Sequence, residues 1–437
     1  MSTAAGGGGG VSTAAGGGGG MSTAAGGGGG VSTAAGGGSG VSAAAGALAG
    51  IRVIELGHAI AGPHCAQMLA DHGADVVKVE PPVGEMSRDA LPVVDGVSVY
   101  FASHNRGKRS VCLDLKTPHG LELLLRLCDT ADVVLTNYGA DVPQRLGWSY
   151  DVLRARNPRL VMVHVTGFGS GASDAPRAAY DGVIQAMSGI ADLTGQPGGE
   201  PTFVGAFVAD HVAAYHATIA VLMALREREI TGVGTSVDVS MLDSYTAMLA
   251  HEVGLAAAGV PRGRWGNQVQ TAFANVFAAR DGQVFLAPLG DAAWQRFWAV
   301  LGGTDVSYDE STGEARERLE QVVGDWTSSR TVAEVLGAMH AAGVAAGPMR
   351  PVGEAVAAMA GTGMVLTVDG PDGRPVRVPG RPVRVGLTDR PGALTVPRTG
   401  EHTAEILTEL GLAPHQQQDP AERGPAAPVA RSQEEDR

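Results

Sequence analysis

One segment restricts the possible folds more than any other. Ile51-Arg-Val-Ile-Glu-Leu56 is an apolar, β-branched run, Gly57 to Pro63 is turn-rich, Cys65 to His72 reads as a helix, and Asp75-Val-Val-Lys-Val79 is a second apolar run. Two such strands joined through a helix make a right-handed parallel crossover, and a parallel sheet must be covered by helices on both faces. The alternation continues with strand Ser110 to Leu115, helix Gly120 to Asp129, strand Val133 to Thr136 and strand Leu160 to Thr166. This predicts an α/β protein with a doubly wound, Rossmann-like sheet. A long apolar helix follows, roughly Val204 to Glu229, then strand Ser236 to Val239 and helix Met241 to Val253. From Gly263 the texture changes to short strands around Val276 to Ala279 and Gln283 to Ala287, with helices Ala292 to Leu301 and Thr331 to Ala341. That pattern predicts a second, smaller α+β domain.

The predicted organisation is a large domain over residues 48–262, a small domain over 263–369, and a Pro/Gly/Arg-rich C-terminal segment over 370–412 that ends in helix His402 to Leu410. Residues 1–47 are built on a Met/Val-Ser-Thr-Ala-Ala-glycine decapeptide repeat, and the first fifty residues hold 21 of the 65 glycines and no charged side chain. Such a repeat has no side chains with which to stack a core and is expected to be a disordered tail, as is the Pro/Gln-rich stretch 413–437. The remaining residues carry all the charge, with 32 basic and 45 acidic groups and a net −13. That balance excludes broad nucleic-acid or anionic-membrane binding and leaves room for a local basic pocket. The three cysteines, Cys65, Cys112 and Cys128, form no CxxC and no disulfide framework, which fits a reduced, cytoplasmic setting. No secretory signal is expected, and Asp210, His211 and His216 interrupt the apolar stretch from Val204 to Leu225, so no membrane span is expected either.

Several residues are candidates for chemistry. Asp210 lies in Phe203-Val-Gly-Ala-Phe-Val-Ala-Asp-His-Val, an apolar helical stretch where a carboxylate loses its hydration. It must therefore be hydrogen-bonded, raised in pKa or open to a pocket. Asp181 opens another apolar helix, where capping of that helix is the default reading. The turn Gly57-His-Ala-Ile-Ala-Gly-Pro63 either presents backbone N–H groups to a phosphate or is only a tight turn. Asn105-Arg-Gly-Lys-Arg109 reads as a solvated basic loop before a strand rather than a phosphate clamp. His211 and His216 are five apart and His251-Glu252 has no partner histidine at helical spacing, so no metal site is read. Ser170, in Gly167-Phe-Gly-Ser-Gly171, falls short of a hydrolase elbow. Trp294, Phe297 and Trp298 lie on helical spacing and read as core.

Taken in order, these strings resemble a known family. Leu48-Ala-Gly-Ile-Arg-Val-Ile-Glu-Leu56, Ala61-Gly-Pro63, Gly73-Ala-Asp-Val-Val-Lys-Val-Glu80, Asn105-Arg-Gly-Lys-Arg-Ser110, Thr166-Gly-Phe-Gly169, Tyr180-Asp181, Asp210 and Gly400-Glu-His-Thr403 are similar to the family III CoA-transferases. That family includes formyl-CoA transferases, carnitine-related CoA-transferases and α-methylacyl-CoA racemases. The resemblance covers about residues 48 to 412. It implies a Rossmann-like large domain, a small domain and an interlocked homodimer. It also implies transfer of CoA from an acyl-CoA donor to a small carboxylic acid, with no metal and no cofactor beyond CoA as substrate. By this resemblance Asp210 is the nucleophile and Asp181 an acidic active-site neighbour. CoA contacts fall on His58, Ala59, Ala61, Leu113, Lys116, Asn137, Tyr138, Arg145 and Leu146, of which Lys116 and Arg145 bring positive charge.

The chain departs from the subgroups at particular places. Ile60, Pro81 and Ala178 stand where formyl-CoA transferases carry glutamine, arginine and lysine, and Gly263-Arg-Trp-Gly-Asn-Gln268 replaces their polyglycine loop. Tyr180 stands where racemases carry an acid/base histidine, and a phenol with a pKa near 10 is a poor proton shuttle at neutral pH. The expectation is a CoA-transferase, with an acyl-CoA racemase or isomerase using Asp210 as base as the alternative.

Overall fold

The computed structural model describes residues 46–173, 177–303, 307–308, 311, 315–385 and 394–412. The expectations for the decapeptide repeat and the C-terminal tail lie outside the described residues. Six strands, Arg52–Leu56 (β1), Asp75–Glu80 (β2), Arg109–Cys112 (β3), Val133–Thr136 (β4), Val161–Thr166 (β5) and Ser236–Ser240 (β6), make one all-parallel sheet in the order β3-β2-β1-β4-β5-β6. The chain winds outward from β1 to β3, then returns to the far side of β1 to begin β4. Strand order thus reverses between β1 and β4, and such a reversal leaves a crevice at the carboxyl ends of the strands, where ligands of this architecture sit.

The strand sequences explain why both faces are covered. In β4, Val133 and Leu135 point to one core while Val134 points to the other, and β1 divides Val53 and Ile54 in the same way. Each buried aliphatic side chain stabilises by about 1.5–3 kcal/mol, so neither face can be left wet. One face is covered by Ala61–Asp71 (α1) and, further along the chain, by the long helix Val208–Thr231 (α5). The other is covered by Pro118–Asp129 (α3) and the C-terminal helix Thr403–Glu409 (α10). Between α1 and α5 the chain also forms Val99–Asn105 (α2) and Asp181–Ser188 (α4). Helix α1 begins at Ala61, four residues earlier than its sequence suggests, because Pro63 falls in the first turn, where no N–H is needed.

Helix α5 lays a stripe of small side chains, Ala209, Ala213, Ala217, Val221 and Ala224, onto the sheet side. Among the described residues it is the one helix long and apolar enough to cross a membrane, yet that buried stripe makes it a core helix of this fold. Met241–Met248 (α6) follows β6, and the single helix expected to run on to Val253 breaks at Leu249 into a second one, Ala250–Ala257.

A second sheet is antiparallel, with Asn275–Ala279 (β7), Gly282–Ala287 (β8) and Ala345–Pro348 (β9) in the order β9-β8-β7. Asp291–Leu301 (α7), Arg316–Ser328 (α8) and Val332–Ala341 (α9) enclose a separate core in which Trp294, Phe297 and Trp298 are buried, as their spacing predicts. The Pro/Gly/Arg-rich segment contains a strand, Pro375–Pro379 (β11), paired with Val365–Asp369 (β10). Residues 400–412 come back to the large sheet. Gly400 donates to the Ser110 hydroxyl, His402 N–H donates to Ser110 O, and the Thr403 hydroxyl accepts from Cys112 N–H. The otherwise open edge of β3 is thereby closed.

Candidate active site

The loops after β1 and β4 meet at the strand reversal and are clasped there by one side chain. Asn137 Oδ1 accepts from His58 N–H and its Nδ2 donates to His58 O, both at 2.9 Å. The clasp needs two glycines. A Cβ on Gly57 would stand 2.4 Å from Glu55 Oε1 and 3.2 Å from Asn137 Oδ1, and one on Gly62 would stand 2.9 Å from Asn137 Oδ1.

Two amides of this turn are already taken by side chains. His58 N–H is given to Asn137 and Ala59 N–H to Glu85 Oε1 at 3.0 Å. The basic cluster is not a solvated loop. Lys108 is buried, with Nζ bonded to Glu55 Oε2, Pro63 O and Asn105 Oδ1, and buried Arg106 pairs with Asp71 at 2.7 Å. Glu55 also holds Lys78 at 3.1 Å, and the two ammonium groups keep its carboxyl below the usual range against the pull of burial. The motif is the charged underside of the β1 loop, where each ion is compensated.

At the carboxyl end of the sheet a cavity of about 170 Å3 opens. Its walls include His58, Ala59 and Asn137 from the β1 and β4 loops, Tyr100 from α2, Thr166 at the end of β5 and Gly167 after it, Tyr180 and Asp181 at the start of α4, and Phe207 and Asp210 at the start of α5. Asp210 is the third residue of α5, and its carboxylate accepts no hydrogen bond among the described residues. Burial and the facing Asp181 push its carboxyl up to about 7. Of the three outcomes open to such an acid, this chain combines the raised pKa with the pocket.

Asp181 is buried and does not cap its own helix. Its Oδ1 instead accepts from Ala209 N–H at 2.7 Å and more weakly from Asp210 N–H at 3.4 Å, so it caps α5 from a different element. Its Oδ2 accepts from Gln185 Nε2 at 2.6 Å, and Gln185 Oε1 in turn takes Val204 N–H at 2.8 Å. A carboxylate on the positive end of α5 is favourable. It also places one negative charge beside the group whose ionisation it opposes. Tyr100 faces the same pair, and burial together with Asp210 raises its phenol, which keeps it a hydrogen-bond donor at neutral pH. Burial lowers His58, which therefore lines the cavity as a neutral imidazole.

Of the residues predicted for the site, the cavity gathers Asp210, Asp181, His58, Ala59 and Asn137. Tyr138 stacks on His58 with ring centroids 5.6 Å apart. Leu146 packs partly buried against the second face of the sheet, while Lys116 is exposed on the loop after β3 and Arg145 at the end of the short helix Val142–Arg145 after β4, beside Asp141 at 3.2 Å. Ala61 and Leu113 are core residues, each 1% exposed, so only their backbone could meet a ligand. Sequence reasoning missed Tyr100 and Phe207, since an aromatic residue on a helix carries no signal of which wall it faces. It also missed a group of three histidines outside the cavity, His64, His104 and His211, the one set among the described residues able to close on a metal ion. They come from three separate segments, so no spacing along the chain could reveal them.

A raised carboxyl at a helix start, set in a crevice at the strand reversal of a doubly wound sheet, is the arrangement of an enzyme's ligand-binding site. The chain belongs to CoA-transferase family III, whose model matches residues 48–403, and it is a CoA-transferase. It is 35% identical over 380 residues to the succinate–glutarate CoA-transferase of Agrobacterium fabrum, covering 83% of this chain and 95% of that one. It is 33% identical to the succinyl-CoA:mesaconate CoA-transferase of Haloarcula hispanica, covering 83% and 96%. A CAIB/BAIF family protein from Brucella suis has the same fold, with a TM-score of 0.73 and 33% identity over 84% of this chain and 100% of that one.

Proposed function

We propose that the protein moves CoA from an acyl-CoA to a small carboxylic acid through an aspartyl-CoA thioester on Asp210. The observation that carries this reading is the Asp210 carboxyl, raised to about 7 on the wall of the cavity without a hydrogen-bond partner among the described residues. A carboxylate of raised basicity is a better nucleophile, and one that makes no hydrogen bond has none to surrender on attack.

In the first step an Asp210 oxygen attacks the thioester carbonyl, the C–S bond breaks, and CoA thiolate leaves behind a mixed anhydride. The thiolate then attacks the aspartyl carbonyl and expels the donor acid as carboxylate, giving aspartyl-CoA. The acceptor carboxylate attacks that thioester to form a second anhydride and frees the thiolate again. Attack of the thiolate on the acceptor's acyl carbon yields the new acyl-CoA and returns Asp210. Tyr100 and the neutral His58 supply polar contacts to the acyl oxygens from the facing walls. The pantetheine arm passes the His58–Tyr138 stack towards Lys116 and Arg145, whose loops lie at the same end of the parallel sheet and whose charges suit the nucleotide phosphates. The relatives named above act on succinate, glutarate and mesaconate, and a small acid of that class is the proposed acceptor.

The exposed Tyr215, Ile219, Leu222, Met223 and Ile230 of α5 support an interlocked homodimer that covers them, and three buried cysteines outside any disulfide support a cytoplasmic setting. The test is hydroxylamine trapping after mixing with succinyl-CoA, followed by mass spectrometry of the peptide containing Asp210. A hydroxamate at Asp210, lost in Asp210→Ala together with acceptor-dependent transfer, is expected. Transfer that survives Asp210→Ala overturns the reading. Exchange of the α-proton in deuterated water without any acceptor would point to racemase chemistry instead.

A further inference from the structure

His64 on α1, His104 on α2 and His211 on α5 face one another as a nearly equilateral group. Their ring centroids are 4.8 Å apart for His64–His211, 5.5 Å for His64–His104 and 5.6 Å for His104–His211. Their candidate ligand nitrogens, one from each ring, all lie within 4.8 Å of one another. Three imidazoles bound tetrahedrally with Zn–N of about 2.0–2.1 Å hold their ring centres roughly 5 Å and their ligand nitrogens about 3.3 Å apart, so the rings stand at the required centre spacing and would close on an ion by turning their nitrogens inward.

The proton positions on two of the rings are fixed by their partners. His104 Nδ1 lies 2.8 Å from Tyr100 O and His211 Nδ1 lies 2.6 Å from Phe207 O. A carbonyl only accepts, so both Nδ1 atoms carry the hydrogen and both Nε2 atoms keep a lone pair when the rings are neutral. This is the outer hydrogen bond that orients histidines bound to metals. His64 Nδ1 is buried with no hydrogen-bond partner among the described residues. The nearest cations are already compensated, Lys108 by Glu55 and Arg106 by Asp71. No carboxylate or carbonyl oxygen belongs to the group, which disfavours Ca2+ and Mg2+, whereas an all-imidazole set suits Zn2+ and its neighbours.

We propose that His64, His104 and His211 form a site for a zinc-class divalent metal ion, with a fourth position open to water. The ion would tie α1, α2 and the first turn of α5 together. His211 follows Asp210 and His104 lies one turn after Tyr100, so occupancy would also fix two walls of the cavity. The proposal stands on the geometry of the three rings and does not depend on the acyl chemistry.

The test uses the full chain, stripped with a chelator and titrated with Co2+, whose visible absorption reports tetrahedral imidazole ligation. One equivalent per chain should give that absorption, and Zn2+ should abolish it. His64→Gln, His104→Gln and His211→Gln should each weaken binding by more than the roughly 10–100-fold that loss of an outer partner costs, while exposed His119→Gln leaves it unchanged. Binding equal to wild type in the three variants overturns the proposal, as does no uptake by the wild type. A measurement without variants is the anomalous map of a zinc-soaked crystal. A peak between the three rings is expected, and a map without one overturns the site.

Discussion

Asp210 and Asp181 divide one job between two acids. Asp181 spends its charge on the amides of α5, and the proximity of that charge helps burial to hold Asp210 near neutrality. Because the folded pKa lies above the unfolded value of 3.8, the folded state binds the extra proton. Its contribution to stability is present below about pH 4 and is lost as pH rises through 7. Asp210→Asn should therefore unfold at a higher temperature than wild type at pH 8, by roughly 2–4 °C for each kcal/mol recovered, and thermal melts at pH 4 should show the gap closed. On the proposed mechanism, the rate of CoA transfer should rise through about pH 7 as Asp210 ionises. In Asp181→Asn that midpoint should move to lower pH, with a stability loss of about 1 kcal/mol from the weakened cap, both readable from a pH–rate profile and a denaturant titration. The importance of Asp210 is legible in the sequence because an acid inside an apolar run has few fates. The role of Asp181 is not, because a cap supplied across 28 residues of chain leaves no local pattern.

At the scale of elements, the β1–α1 unit can be read from its apolar periodicity almost residue by residue, while the purpose of its neighbours cannot. Asn105-Arg-Gly-Lys-Arg109 carries the composition of a solvated loop, yet the fold buries Lys108 and Arg106 against acids supplied by other segments. Composition records charge and not the partner that will be brought to it. Glu55→Gln removes the shared counter-charge from two buried ammonium groups and should destabilise the protein by about 3–5 kcal/mol in urea unfolding. The same reasoning applies to β11, for which composition offers no sign of a strand. A strand rich in proline and arginine looks irregular until its partner β10 is known, and alternate residues Val376 and Val378 are the ones buried.

For the whole molecule, the strand order turns a list of scattered loops into one edge. His58, Lys116, Asn137 and Gly167 follow four different strands, and only the parallel arrangement sends all four loops to the same end. The first half of this sheet is finished by the last described turn of chain. Ile406, Leu407 and Leu412 enter the core beneath β1 and β2, and Arg109 reaches both Asp75 and Glu409. Ile406→Ala should cost about 2–5 kcal/mol by urea titration, although it lies far from the cavity in sequence. A chain beginning at Gly46 should keep full CoA-transfer activity in a direct assay, since the family match starts only at residue 48.

The closure of β3 by residues 400–403 has a consequence for how the molecule is made. While the ribosome is still elongating, the edge strand and the apolar surface beside α3 wait without their partner, and neither is sealed until residues 400–412 have emerged. Chaperone capture of stalled nascent chains should thus be strongest for lengths that stop just short of α10 and should fall away once it is exposed.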